Sequence, residues 1–398
     1  MSKQYKSDKL HEVLLNDLIE NSWHAGERFY SEHQLCIKYD VSRQTVRKGT
    51  NALADEGLLR RIKGSGTYVT EKAVSLRHTK THSIGVLVTY LSDYIFPVVI
   101  KELERAFTGA GYTVQLASSS NSSARERTLI RKMLDSEVDG IILEPTKSAL
   151  PNPNMDIYEE LAQEGFPLIT IHSSYPGMNL PSITVDDTEA GYLATKHLLR
   201  LGHRQIGAVL KSDDLQGLNR YKGILKAHRE LNLNFNDQRV YWYTTEDLGH
   251  FEDLDEAILD RLTSSTAVVV YNDQIGIMVQ RMLLDAGLRI PKDCSMVSID
   301  DSKFARLAPV PLTSVRSPCS EIARTAAEQL LELISGVNFK PGKVFKPSLT
   351  IRESSAAPVK PATRLVGSAV DVCSRDLDQT EDALAAREEQ SLQSSLQI

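Results

Sequence analysis

"SRQTVRKGTNALADEGLLRRIKGSGTYV", residues 42–69, holds the signals that decide the N-terminal fold. Ser42 reads as a helix N-cap, since its hydroxyl can accept an orphan backbone N–H of the first turn. In the helix that follows, Val46 and Leu53 share one stripe, while Arg43, Gln44, Arg47, Lys48 and Asn51 share the opposite one. One face is built to pack and the other is basic and amide-rich. After Gly57 the period changes. Leu58 to Ile62 and Thr67 to Thr70 read as two short strands joined by a turn through Gly64, Ser65 and Gly66.

Upstream, Leu10, Val13, Leu14, Leu18 and Ile19 recur at three- and four-residue steps, which predicts a helix running to Glu20. Ser31 with Gln34 forms a capping-box pattern opening a second short helix, with Leu35 and Ile37 expected to point inward and Asp40 in the following turn. Three helices and a hairpin in this order describe a winged helix-turn-helix, whose third helix enters the major groove. Charge agrees locally. The chain is −6 overall, yet residues 1–72 carry seven Lys and five Arg against four Asp and six Glu.

At 398 residues the chain is long enough for two or three domains. No apolar run is long enough to span a bilayer, and "MSKQYKSDKLHEV" lacks the apolar region of a signal peptide, so a cytoplasmic protein without a membrane partner is expected. Cys36, Cys294, Cys319 and Cys373 show no CxxC spacing, which encodes neither a zinc cluster nor a disulfide framework. Walker A, HExxH and GxSxG patterns are lacking, so neither an enzyme nor a cofactor is expected.

From about Thr81 buried strands alternate with amphipathic helices: "HSIGVLVTY", "VVIKELERAFTGAGY", "TVQLASSS", "ARERTLIRKMLDSEV", "DGIILEP" and "PLITIHSSY", then a second series from "YLATKHLLRLG" to "SMVSID". The fold class is therefore α/β: a winged helix-turn-helix domain (1–72), a linker (73–81) with the polar hinge "HTKTH", and a two-lobed, doubly wound domain (82–365). The tail, 366–398, has no Phe, Tyr or Trp and reads as disordered or as an isolated helix. In doubly wound sheets ligands bind outside the carboxyl ends of the strands, and two lobes bring two such edges to one cleft.

Residues 5–70, with "VSRQTVR" and "GSGTYV", resemble the DNA-binding domain of the GntR family of bacterial regulators. Phe29 and Tyr30 replace its usual Leu-Pro, His33 replaces a frequent Arg and so puts one phosphate contact in doubt, and Gly49 replaces a common Ala. The segments "HLLRLGHRQIGAV" (197–209), "RYKGILKA" (220–227), "VVVYNDQIGI" (268–277) and "SMVSIDDSKFARLAPVPLTSV" (295–315) resemble the LacI/GalR effector-binding module, related in fold to periplasmic sugar-binding proteins. With "TYLSDYIFP" (89–97) and "LEPTKSAL" (143–150), this combination resembles the L-arabinose-responsive repressors of Gram-positive bacteria. The resemblance implies a homodimer that binds double-stranded, palindromic operator DNA and is released by a small sugar, L-arabinose.

For DNA, Arg43 and Arg47 lie one turn apart, where guanidinium groups can grip guanine edges or phosphates; Gln44 shares that face, and Thr45 can reach a phosphate or a thymine methyl. Lys48, Arg60 and Lys63 suit phosphate neutralisation, and Gly64 to Gly66 suit close approach to the minor groove. For a sugar, strand ends offer Tyr94, Phe96, Glu144, Lys147 and His172 in one lobe and Arg220, Asn272 and Asp300 in the other; the last three also match effector-holding positions of the LacI type. Glu144 and Lys147 fit a surface pair as well, and His172 fits a structural role as well. Asp273 is expected to cap the helix after it, and His203 to order a turn. Ser298 and Ile299 replace the common Gly-Tyr and are expected to alter the pocket wall. Some GntR-headed proteins carry a pyridoxal-phosphate body, but the strand order and body motifs here fit a binding protein better.

Overall fold

Hydrophobic burial sorts the chain into a helical head and a two-lobed body. The computed structural model describes residues 3–21, 23–75, 80–91, 94–337 and 342–359. In the head, α1 (Lys3–Glu20), α2 (Glu32–Tyr39) and α3 (Arg43–Asp55) precede the hairpin β1 (Leu59–Ile62) and β2 (Gly66–Val69), which ends in the short α4 (Glu71–Ser75). Leu10, Leu14, Leu18, Leu35, Val46 and Leu53 form its core. Ser31 and Gln34 make the reciprocal capping box, and Ser42 caps α3. Ile37, expected inside, is 71% exposed, because Leu35 alone occupies the buried side of an eight-residue helix. Phe29 is buried in a cluster with Trp23 and Tyr30, which accounts for aromatic residues at this place.

The expected linker start at 73 is corrected: Ala73 is buried in the head core, so the head extends through Ser75. Residues 76–79 and the tail 366–398 lie outside the described residues.

The body's first lobe opens with β3 (Ser83–Val88), α5 (Phe96–Gly109), β4 (Thr113–Ser118), α6 (Ser123–Asp135), β5 (Gly140–Leu143), α7 (Met155–Gln163), β6 (Leu168–Ile171) and β7 (Ser182–Val185). The second lobe follows with α8 (Asp187–Leu201), β8 (Ile206–Lys211), α9 (Leu215–Glu230), β9 (Val240–Tyr243), α10 (Asp255–Leu262), β10 (Ala267–Val270), α11 (Asp273–Asp285), β11 (Ser295–Asp300), α12 (Lys303–Leu307) and β12 (Thr313–Arg316). The chain then returns to the first lobe for α13 (Cys319–Ile334) and β13 (Lys343–Phe345), and ends in the second with β14 (Ser348–Thr350). Each lobe is a six-stranded sheet, ordered β13-β7-β6-β5-β3-β4 and β14-β12-β11-β10-β8-β9. Within these two sheets the strands pair in parallel except β12 with β14.

Central strands such as β3 and β10 are buried at every position, as parallel sheets covered on both faces require. The chain crosses between lobes three times, after β7, after β12 and after β13. Because of the second crossing, Ile322, Ala326 and Leu330 of α13 complete the core around Ile84 and Val86. Helices α8 and α9 cross at glycines. A Cβ at Gly191 would lie 2.0 Å from the Arg220 carbonyl oxygen, and one at Gly223 would lie 2.1 Å from that of Thr188. This close approach sets Arg220 beside Asp187.

Candidate functional site

On the head, Arg43, Gln44, Arg47 and Lys48 are exposed along one side of α3, with Val46, Gly49, Thr50 and Leu53 buried on the other. The Ser42 hydroxyl accepts the Thr45 N–H at 3.2 Å, which fixes Thr45 at the helix start. Arg47 Nε donates to Glu32 Oε1 at 3.1 Å, so α2 aims this guanidinium. Arg61 Nη2 donates to Thr50 Oγ1 at 2.6 Å and ties the wing to α3. At the wing tip Lys63 and Gly64 are exposed, and Gly64 (φ +78°) has open space where a Cβ would stand. At Gly66 a Cβ would lie 2.8 Å from Arg28 Nε. Arg28 therefore lies along the wing, a cation the sequence reading missed because the pairing of Arg28 with Tyr68 is not encoded by local periodicity.

In the body, Tyr94, Phe96, Glu144 and His172 from the first lobe and Arg220, Asn272 and Asp300 from the second line one cleft of about 260 Å³. His172 (φ 61°) and Asp300 (φ 105°) adopt left-handed backbone at the carboxyl ends of β6 and β11, a conformation that costs on the order of 1–3 kcal/mol and clusters at functional sites. Lys147 is not brought into the cleft: its ammonium pairs with Glu246 of the second lobe. Its left-handed backbone (φ 44°) separates it from Glu144, which is buried and accepts from Thr89 and His172 instead.

Arg220 is the charged centre. Nε donates to Asp187 Oδ1 at 2.9 Å, Nη1 donates to the Tyr271 carbonyl, and Nη2 lies 3.6 Å from Asp300 Oδ1. The guanidinium carbon stands 4.6 Å from the Tyr271 ring centroid. Burial opposes its charge, but Asp187 and Asp300 outweigh that and raise its pKa. Lys211, also buried, pairs with Asp214 at 2.6 Å; burial would lower its pKa, and the carboxylates beside it raise it on balance. Burial would likewise lower the His172 pKa, yet the neighbouring Cys319 sulfur and Glu144 carboxylate push it up to about 10, so its imidazole is held protonated. Tyr90 Oη, His172 Nε2 and Gln216 Oε1, all on residues that line the cleft, are buried without a hydrogen-bond partner. Buried polar atoms in that condition are uncommon and mark where a polar ligand or water belongs.

Asp187, Lys211, Asp214, Gln216 and Tyr271 line the cleft and were not anticipated. Asn272 takes the capping role expected of Asp273 and keeps its expected place on the cleft. Asn272 caps α11 by accepting the Ile275 N–H at 3.0 Å, while also lining the cleft. Asp273 does not cap the helix; its fully buried carboxylate accepts from Ser298, from Ser314 at 2.6 Å and from the Ser302 N–H at 2.6 Å. Ser298 and Ile299 do not form the pocket wall: both are buried within β11, where Ser298 serves Asp273. His203 is buried and bonds Thr266 Oγ1 and the Ala356 carbonyl, each at 2.9 Å, in the turn between α8 and β8.

Residues 6–69 match the family model described as bacterial regulatory proteins, gntR family, and residues 195–355 match the periplasmic binding protein-like domain. The arabinose metabolism transcriptional repressor of Geobacillus stearothermophilus is 34% identical over 352 residues, covering 87% of this chain and 96% of its own. The chain belongs to this family of GntR-headed, LacI-type transcriptional repressors. The repressor of the same description from Halalkalibacterium halodurans is 35% identical over 82% of this chain and 90% of its own. The body of this repressor also matches the crystal structure of a LacI family transcriptional regulator from Mycobacterium smegmatis, with a TM-score of 0.59, 26% identity, and coverage of 69% of this chain and 100% of that one. Among the described residues no helix is long and apolar enough to cross a membrane.

Proposed function

We propose that this repressor binds palindromic operator DNA as a homodimer and that L-arabinose, held in the interlobe cleft, releases it. The observation that carries the effector half is the cleft itself, a small cavity lined by charged hydrogen-bonding groups and aromatic rings, three of whose lining residues hold a buried polar atom without a partner. Its volume of about 260 Å³ lies below the ~300–1,000 Å³ of pockets for drug-sized ligands and suits a single sugar ring. Glu144, Asp187, Asp214 and Asp300 nearly cancel Lys211, Arg220 and the His172 imidazolium. That balance favours a neutral polyol over a phosphorylated sugar or a sugar acid, whose charge would meet four carboxylates. The likeness to two arabinose metabolism repressors supports the choice of pentose.

The dimer half rests on symmetry and surface. A two-fold dimer presents two copies of α3 to two half-sites, hence the palindrome. Val98 of α5 and Leu116 of the edge strand β4, on elements that pack together, are 46% and 41% exposed and supply apolar surface for a second copy. Sugar binding then couples to DNA through the lobes with the ~1–3 kcal/mol typical of such linkage. No catalytic step enters this reading.

The experiment is a titration of a palindromic operator-length duplex with the purified protein, alone and with L-arabinose, glucose, xylose or galactose. Release by L-arabinose alone is expected. Indifference to all four sugars would overturn the effector assignment, and equal affinity for half-site and palindromic duplexes would overturn the dimer.

A further inference from the structure

The lobes meet again beside the cleft, where the first lobe reaches the start of α9. A helix leaves its first backbone N–H groups without internal partners, and the residue before it normally satisfies one of them. Here Asp214 precedes α9 and makes no capping bond, turning instead to Lys211 at 2.6 Å. The Leu215 N–H is satisfied by Ser148 Oγ of the opposite lobe at 2.9 Å. Asn121, also of the first lobe, donates from Nδ2 to Asp214 Oδ1 at 3.2 Å and to Thr245 Oγ1 at 2.6 Å, while its Oδ1 accepts the Lys147 N–H at 2.8 Å. The Ala149 N–H reaches the Asp213 carbonyl at 3.2 Å, and the Lys147–Glu246 ion pair lies on the same contact.

Ser148 and Asn121 are 0% and 1% exposed, so the contact is desolvated and each lost bond leaves a buried group unpaired. Asp214 belongs to both places. It faces Lys211 and the Tyr271 hydroxyl, 3.3 Å away, on the cleft side, and Asn121 on the other. A ligand that engages Asp214 or Lys211 therefore acts on the group that Asn121 grips.

We propose that Ser148 and Asn121 are positioning residues that latch the two lobes, the helix cap of α9 being supplied across the cleft only while the lobes are together. This rests on the cleft being the effector site. The latch adjusts sugar affinity by setting the fraction of molecules whose lobes are closed, without either residue touching the sugar.

The test uses the full chain carrying Ser148→Ala, Asn121→Gly, or both; glycine keeps the left-handed backbone of Asn121 (φ 52°) free of strain. Calorimetry with L-arabinose reads affinity, and hydrogen exchange reads the amides at the start of α9. The double variant, which loses three side-chain hydrogen bonds between the lobes, is expected to bind L-arabinose at least tenfold more weakly. Asn121→Gly, which does not touch Leu215, is expected to speed exchange there. Glu246→Gln, at an exposed position, is expected to weaken the sugar about twofold. Sugar affinity equal to the parent's in the double variant, or unaltered α9 exchange in Asn121→Gly, would overturn the latch. If the parent binds no sugar at all, the effector reading falls, and the exchange result for Asn121→Gly alone decides the latch.

Discussion

The Tyr94 hydroxyl donates to Asp300 Oδ2 at 2.6 Å, although the two residues stand on different lobes. The same oxygen accepts the Asp273 N–H at 3.1 Å, so one phenol joins the first lobe to a carboxylate and to the first residue of α11. Tyr94→Phe removes both bonds and keeps the ring stacked on Phe304. A buried group left without its partner costs about 1–3 kcal/mol. Sugar affinity is expected to fall tenfold or more by calorimetry; an unchanged value would separate this bridge from the sugar-binding arrangement.

Arg220→Lys keeps the charge and loses the fork that meets Asp187, the Tyr271 carbonyl and Asp300 together. Each buried acceptor left without its donor costs roughly 1–3 kcal/mol. We expect a clear drop in the body's melting temperature and loss of sugar response, with the isolated-head contacts to DNA intact. A variant as stable as the parent would show that one point charge suffices.

His172 gives a pH signature. Its pKa is raised in the folded protein to about 10, so its contribution to stability is complete below its unfolded value of ~6.5 and is lost as pH rises through 10. The stability gap between parent and His172→Gln should shrink from pH 7 to pH 10 in denaturant titrations. A gap constant over that range would mean that the imidazole is neutral in the fold.

A Cβ at Gly49 would meet Leu14 Cδ1 at 3.4 Å and the His11 backbone nitrogen at 3.6 Å, ordinary contacts where α1 packs on α3. Helix propensity then dominates, and Gly49→Ala should stabilise the head by about 1 kcal/mol. The packing of α1 on α3 therefore does not require a glycine here. Thermal unfolding of the variant checks this, and a lower melting temperature than the parent's would show that the glycine is needed for packing.

Arg47→Ala should lose about 1–3 kcal/mol on a cognate operator and flatten base preference, whereas Lys63→Ala should weaken all sequences alike and lower the salt slope by about 1. Glu32→Gln, by loosening the grip on Arg47 Nε, should shift base preference more than salt dependence. Fluorescence titrations on matched and mismatched duplexes separate these outcomes.

Much of the architecture was legible because periodicity survives in sequence. The switch from helical to alternating period after Gly57 and the fully apolar runs of β3 and β10 placed the head and both lobes. What escaped were α4, α12 and the short strands β7, β12, β13 and β14, each three to five residues long, which carry too few positions for any period, and the longer helices α7 and α13, which fall outside the two series read from the sequence. The strand-end rule brought seven of the eight expected cleft residues together. It missed Lys211 because a lysine ending a strand reads as exposed, while here it is 2% exposed against two aspartates. It misplaced Lys147 because a left-handed backbone redirects a side chain without altering composition. Asn272 and Asp273 are both good caps, and only the backbone decides which one turns inward.

The interrupted path of the chain has a consequence for synthesis. The head core is drawn from one continuous segment ending at Ser75, whereas the core around Ile84 and Val86 stays open until Ile322 to Leu330 of α13 have been made. On a ribosome, where N-terminal domains fold first, the DNA-contacting module can therefore be finished some two hundred and fifty residues before the sensor that governs it. A nascent chain stalled between those points would carry a folded head and an unfinished body. Both lobes need residues from beyond the second crossing, so truncation from the C-terminus opens both cores of the body before it reaches the head.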